Sequence, residues 1–229
     1  MTTIAANLQA VRKRIDAACV AAGRAPATVS LLAVSKTWPA ASIREAAAVD
    51  QRAFGESYVQ EALGKIEALR DMDVEWHFIG PMQSNKTRAV AENFAWVHGI
   101  DRLKIAERLS DQRPPGMPPL QVCVQVNVSG EASKSGVAPG EAPALCRAVA
   151  SLPRLHLRGL MAIPEPTDDM AVTRMRFGTL CELKERLNAA GLGLDTLSMG
   201  MSDDLEAAIM EGATIVRVGT AIFGSRFVQ

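Results

Sequence analysis

The chain has 229 residues, of which 48% are hydrophobic and 22% charged, with 25 basic residues against 25 acidic ones. Such a balance gives no electrostatic basis for nucleic-acid binding, and no apolar run approaches the roughly 18 residues that a membrane-spanning helix needs. Barrels of alternating strands and helices use roughly 200 to 250 residues, so we expect one cytoplasmic domain over residues 1–229.

An amphipathic helix is predicted ahead of the first strand. Its apolar residues recur at spacings of three and four, and Gly23 follows them as a residue favoured just past a helix end. These apolar residues are Ile4, Leu8, Val11, Ile15 and Cys19.

Eight apolar runs of strand length follow, with helical stretches between them. The strands are predicted at residues 29–35, 51–55, 75–79, 95–99, 120–128, 157–163, 194–198 and 214–218. Helices are predicted at residues 58–70, 101–112, 141–151, 169–190 and 203–211, among others. This alternation predicts an α/β fold, a single (β/α)8 TIM-type barrel with an extra N-terminal helix, although an open doubly wound sheet would give a similar pattern.

The four cysteines are scattered along the chain, without a CxxC pair or a cluster with histidine. This spacing predicts neither a zinc site nor a disulfide framework. We interpret Cys19, Cys123, Cys146 and Cys181 as reduced thiols.

Lys36 ends the first predicted strand, in the stretch LLAVSKTWP. The functional groups of such a barrel gather at the C-terminal ends of its strands. Burial lowers a lysine pKa from its ordinary value of about 10.4 and so supplies the free amine that attacks an aldehyde. Lys36 is therefore a candidate for imine formation, the alternative being a loop lysine that extends to solvent.

Phosphate-binding loops are expected after strands seven and eight of a barrel. The eighth strand is followed by Gly219 and Thr220, whose backbone N–H groups could bind phosphate, and the seventh by Ser198, Gly200 and Ser202. We assign the phosphate chiefly to Ser198, Gly219 and Thr220. Ser202 is interpreted as a helix cap, since the acids at 203–204 after it favour a helix start and would repel phosphate.

Arg217 stands inside the last apolar strand, in VRVGTAIFG. An unpaired buried guanidinium is expensive, so this residue needs a partner. The two alternatives are a salt bridge with an acid such as Glu211 and a contact with the ring nitrogen of a cofactor.

Seven motifs in this order resemble the pyridoxal-phosphate homeostasis protein family, over about residues 29 to 226. They are LLAVSKTWP, FGESYVQEA, WHFIGPMQSNK, SKSG, LRGLMAIP, LSMGMSDDLEAAI and VRVGTAIFG. The resemblance implies a barrel like the N-terminal domain of alanine racemase, with pyridoxal 5'-phosphate held on Lys36 as an internal aldimine and Arg217 facing the pyridine nitrogen. An arginine stays protonated, so the ring would be a weak electron sink.

Further residues of these motifs are pocket candidates. Ser57 stands where the family usually carries asparagine, so its contact with the cofactor ring oxygen is expected to be shorter, rewired or bridged by water. Met161 is expected to form a wall, and His77 and Gln83 either line the pocket or pack elsewhere. Lys134, in SKSG, is interpreted as a solvated loop residue without a catalytic role.

By this resemblance we expect a protein of intracellular vitamin B6 homeostasis, a monomer or weak dimer that buffers pyridoxal phosphate or delivers it to apoenzymes, without robust catalysis of its own. One alternative is a pyridoxal-phosphate-dependent amino-acid racemase of low activity, which needs two opposed bases. The sequence holds one tyrosine, Tyr58, and ends at Gln229 after the eighth unit, which argues against that alternative. Another is a barrel enzyme acting on a phosphorylated sugar, which a visible imine spectrum would contradict.

Overall fold

The computed structural model describes residues 3–131 and 135–225. Its strands pair in parallel and in chain order, and the last pairs with the first, so the sheet is a closed barrel of eight strands. They are β1 Ser30–Val34, β2 Ala53–Glu56, β3 Glu75–Phe78, β4 Trp96–Ile100, β5 Leu120–Gln125, β6 Leu155–Met161, β7 Thr196–Ser198 and β8 Ile215–Val218. The predicted closed barrel is confirmed, and the open sheet is excluded.

Helices lie between the strands and before them. They are α1 Ile4–Ala21, α2 Ala40–Ala47, α3 Val59–Ala68, α4 Thr87–Asn93, α5 Leu103–Gln112, α6 Ala142–Ala150, α7 Met170–Ala189, α8 Leu205–Met210 and α9 Thr220–Phe223. A short 3₁₀ helix, Pro26–Thr28, joins α1 to β1. In the described part of the chain no helix is both long and apolar enough to cross a membrane.

Several predicted strand boundaries are wrong by a few residues. The second strand begins at Ala53 because the Gln51 side chain bonds to the Leu31 and Ala53 carbonyls and Asp50 adopts a left-handed φ of 64°. The fifth ends at Gln125, and Val126 after it forms an isolated bridge with Val137. The sixth occupies residues 155–161 rather than 157–163.

The N-terminal helix α1 packs on the last βα units. Its buried face includes Leu8 and Val11, and the Arg14 guanidinium bonds to Glu206 on α8 at 2.8 Å. Arg24, just past the helix, donates to the carbonyls of Ile209 and Ala213. Arg14 also donates to the Ser202 carbonyl at 2.9 Å, so these contacts hold both α8 and the loop before it, where the candidate site lies.

Candidate functional site

A cavity of about 220 Å³ opens at the C-terminal mouth of the barrel. It is lined by Val34, Lys36, Trp38, Ser57, Ile79, Ile163, Met201, Ser202, Asp203, Arg217, Gly219, Thr220 and Gly224. The parallel strands all end at this mouth, which is why residues far apart in sequence meet here. A larger cavity, of about 990 Å³, lies at the opposite mouth, away from these residues.

Lys36 lies one residue beyond Ser35 at the end of β1 and is half-buried. The next residue, Thr37, adopts a left-handed φ of 69°, which is unfavourable for a β-branched residue. Its N–H donates to Glu61 Oε1, and the Ser35 carbonyl accepts from Lys65 Nζ at 2.8 Å. Both peptide groups that flank Lys36 are therefore held by side chains of α3.

A buried ionic cluster supports this loop. Lys65 Nζ also lies 2.8 Å from Glu56 Oε1, the Ser35 hydroxyl donates to the same oxygen at 2.6 Å, and Glu61 accepts from Lys65. Desolvation by burial raises the Glu56 pKa, although the bonds from Lys65 and Ser35 oppose it. The sequence analysis missed this cluster. Its available signals were the (i, i+4) spacing of Glu61 and Lys65 and an acid at the end of the second strand.

Arg217 lines the cavity and is almost fully buried. It donates to Ser198 Oγ at 2.8 Å and to the Ala162 carbonyl at 2.8 Å. Burial lowers the Arg217 pKa to about 10, so the side chain is still cationic at neutral pH. The predicted alternative of a salt bridge with Glu211 is wrong, because that carboxylate pairs with Arg174 on α7 at 2.7 Å.

Three predicted site residues are not among the residues that line the cavity. Ser198 is fully buried, and its hydroxyl is bonded to His98 as well as to Arg217. Met161 packs inside the barrel against apolar side chains that include Leu32 and Trp96. Both belong to strands whose side chains at this level point to the barrel axis.

Gly200, the third, has a structural role. Its φ is +92°, a Cβ there would lie 2.6 Å from the Ala208 Cβ, and its carbonyl accepts from the Arg217 N–H. A side chain at this position would disturb the turn that carries the loop from β7 to α8.

Ser202, Gly219 and Thr220 form one end of the cavity. Ser202 was predicted to cap the following helix, and this is wrong, because α8 begins at Leu205 with Asp204 as its N-cap residue. The Ser202 hydroxyl instead faces the Ala221 N–H at 3.4 Å. The hydroxyl accepts in this contact, so it can still donate its own proton at this end of the cavity, where Asp203 also lies.

Of the remaining candidates, one lines the cavity and the others that the structure describes lie elsewhere. Ser57 lines the cavity, whereas Gln83 is exposed on the loop before α4. His77 lies inside the barrel, stacked on Trp96 with ring centroids 5.3 Å apart. Lys134 lies outside the described residues.

Comparison with known proteins gives a consistent result. Residues 3–227 match the family described as "Alanine racemase, N-terminal domain". The chain is 66% identical to the pyridoxal phosphate homeostasis protein of Pseudomonas aeruginosa, over 99% of this chain and 97% of that protein. It is 54% identical to the protein of the same name from Escherichia coli, over 99% and 98%. The structure of Synechococcus elongatus PipY, solved with PLP bound, superposes with a TM-score of 0.85 at 37% identity, over 97% of this chain and 100% of that one.

Proposed function

The chain belongs to the pyridoxal phosphate homeostasis proteins, within the alanine racemase N-terminal domain family, and from that premise we propose that it binds pyridoxal 5'-phosphate in the C-terminal cavity. One observation carries this proposal: an amine, that of Lys36, and a cation, that of Arg217, line a single small cavity. The relative PipY was solved with PLP in a barrel that superposes on this one.

The lining residues suit the three parts of this cofactor. Lys36 supplies the amine that bonds covalently to the aldehyde, and Val34, Ile79 and Ile163 offer apolar walls for a flat ring. Arg217 is a buried donor suited to the ring nitrogen. When bound, the cofactor supplies an aldehyde carbon that exchanges between the protein's lysine and free amines.

We assign the phosphate to Gly219, Thr220 and Ser202. Ser202 replaces Ser198 in this set because the Ser198 hydroxyl is occupied by His98 and Arg217, while Ser202 lines the cavity. Hydroxyl and backbone donors at one end of the cavity leave the amine of Lys36 for the other part of the ligand. Ser57 completes the lining as a polar contact to the ring.

In the cell, the protein takes part in vitamin B6 homeostasis, in the cytoplasm, by buffering the cofactor and delivering it to apoenzymes. A carrier needs a covalent bond that amines can reverse and a reachable lysine, and Lys36 is half-buried rather than enclosed. Racemisation would need a second base, and Tyr58 is an exposed residue that is not among those lining the cavity. The described residues that line the cavity therefore favour a cofactor carrier over a racemase.

The experiment is loading with pyridoxal phosphate, desalting, visible absorbance, and borohydride reduction followed by peptide mapping. Lys36→Ala should lose the visible band and the reduced adduct, whereas Lys104→Ala, at an exposed position of α5, should retain both. An adduct of equal yield on another lysine in Lys36→Ala would contradict the assignment. Transfer is tested by mixing the loaded protein with an apoenzyme and an amine that traps free cofactor. Delivery by the protein predicts activation in spite of the trap.

A further inference from the structure

Hydrogen bonds link five side chains along the inside of the barrel. Glu75 Oε1 lies 2.8 Å from His77 Nε2, and His77 Nδ1 lies 2.9 Å from His98 Nε2. His98 Nδ1 lies 2.7 Å from Ser198 Oγ, which accepts from Arg217 at 2.8 Å. This hydrogen-bond network therefore joins side chains of β3, β4, β7 and β8 without a break.

The two ends of this hydrogen-bond network, Glu75 and Arg217, lie at opposite mouths of the barrel. The Glu75 side chain is 51% exposed and lines the cavity of about 990 Å³ at the N-terminal mouth. Arg217 lines the cavity at the C-terminal mouth. His77, His98 and Ser198 between them are buried. A buried polar network is costly unless every member has a hydrogen-bond partner, and each of these side chains has one.

The chemistry of the end groups fixes the direction of every bond. A carboxylate only accepts, so neutral His77 must donate from Nε2 to Glu75, and its bare Nδ1 then accepts from His98 Nε2. Neutral His98, with its proton on Nε2, has a bare Nδ1 that accepts from the Ser198 hydroxyl, and Ser198 Oγ accepts from Arg217, which only donates. Burial lowers the pKa of both histidines, which keeps the pair neutral at neutral pH.

When the network takes up one proton from water, one arrangement of its protons keeps the new positive charge beside a carboxylate. His77 then holds protons on both nitrogens and faces Glu75, and His98 holds its single proton on Nδ1. Ser198 Oγ now receives N–H groups from both His98 and Arg217, and its own hydroxyl proton turns away. The bond between Arg217 and Ser198 is weakened, because the oxygen is shared and a new positive charge lies nearby.

We propose that Glu75, His77 and His98 form a relay of positioning residues that couples protonation at the N-terminal mouth to the orientation of Arg217 beneath the cofactor. This inference rests on the proposed function, since it assigns a regulator to the same site. Other ionisable groups also lie near the relay. They are Arg158, paired with Asp195 at 2.6 Å, and Cys123 and Asp204 near Arg217.

The first test needs no cofactor. In ¹⁵N-histidine NMR of the unloaded protein, His77 and His98 should both be neutral Nε2–H tautomers near neutral pH, and on acidification His98 should change to Nδ1–H while His77 becomes doubly protonated. A neutral Nδ1–H form of His98 near neutral pH would overturn the relay. This readout stands even if pyridoxal phosphate does not bind, so the two proposals can fail separately.

The second test is the visible spectrum of the loaded protein against pH. Glu75→Gln should move the midpoint of its acid transition down by about one pH unit or more, because protonated His77 loses its counter-charge. Glu67→Gln, at an exposed position of α3, should leave the midpoint unchanged. No acid transition in the wild type, or an equal midpoint in Glu75→Gln, would overturn the proposal. Glu75 is half-exposed, so its substitution does not leave a buried cavity.

Discussion

Lys65 Nζ donates to the backbone carbonyl of Ser35, the residue directly before Lys36, at 2.8 Å. Glu61, one helical turn earlier on α3, accepts from the N–H of Thr37, the residue directly after it. One ion pair of a neighbouring helix therefore holds the chain on both sides of the lysine proposed to carry the cofactor. The positive φ of Thr37 is kept in place by the same contacts.

Replacing Lys65 with methionine should lower the free energy of unfolding by about 3–5 kcal/mol, since Glu56 would be left buried without its cation. The measurement is urea unfolding of the unloaded protein. Arg70→Met is the control, because the exposed ion pair between Arg70 and Glu67 should contribute no more than about 1 kcal/mol. Equal losses in the two variants would show that the buried cluster does not stabilise the fold.

Substitution of Gly200 with alanine should be more harmful than the same change at Gly191. Both glycines have a φ of +92°, so the backbone strain is matched. Only at Gly200 would the new Cβ meet a neighbour, 2.6 Å away, which should cost about 1–3 kcal/mol more. Thermal unfolding of the two variants measures this difference, and identical melting temperatures would contradict it.

The phosphate assignment predicts opposite effects at two adjacent positions. Ser202→Ala should weaken cofactor retention by about tenfold, the effect of losing a hydrogen bond to a charged group. Asp203→Asn should strengthen it by up to about fivefold, because an acid that lines the cavity repels phosphate. Equilibrium dialysis distinguishes the two. Tighter binding by Ser202→Ala would contradict the assignment of the phosphate to Ser202.

Acidification should destabilise the protein through His77 and His98. Burial lowers the pKa of both from the ordinary 6.5, so below that value the unfolded chain binds more protons than the folded one. The free energy of unfolding should fall by up to about 1.4 kcal/mol per histidine for each pH unit below the ordinary pKa. Urea unfolding from about pH 7.5 to about pH 5.5 measures the slope. His156→Gln, at an exposed position, should keep it, and stability that rises on acidification would contradict it.

Thiol labelling should separate Cys181 from the other cysteines. Cys19, Cys123 and Cys146 are buried, and desolvation raises the pKa of Cys123 and Cys146 to about 12. The reactive thiolate is therefore rare at these positions. With iodoacetamide near neutral pH, the partly exposed Cys181 should react first, and all four should react after unfolding. Mass spectrometry follows the order, and early labelling of Cys123 would contradict it.

The sequence by itself determined the alternation of strands and helices and the place of Lys36 directly after the first strand, whereas closure of the sheet into a barrel was decided by the structure. Eight apolar runs alternate with helices, and parallel strands must end at one mouth, so the residue after the first strand belongs at that mouth whatever the details of packing. Arg217 was identified for a related reason, because an arginine within an apolar strand requires a special partner.

Only the tertiary structure decided which way the polar side chains face. Ser198 and Ser202 are four residues apart, yet the first points to the barrel axis and the second lines the cavity, since loop direction after a strand is not encoded by periodicity. His98 meets Ser198 across 100 residues of sequence. Contacts of this kind depend on barrel closure, because closure brings β4 opposite β7 and β8. A local pattern of residues does not predict which side chains meet across the barrel.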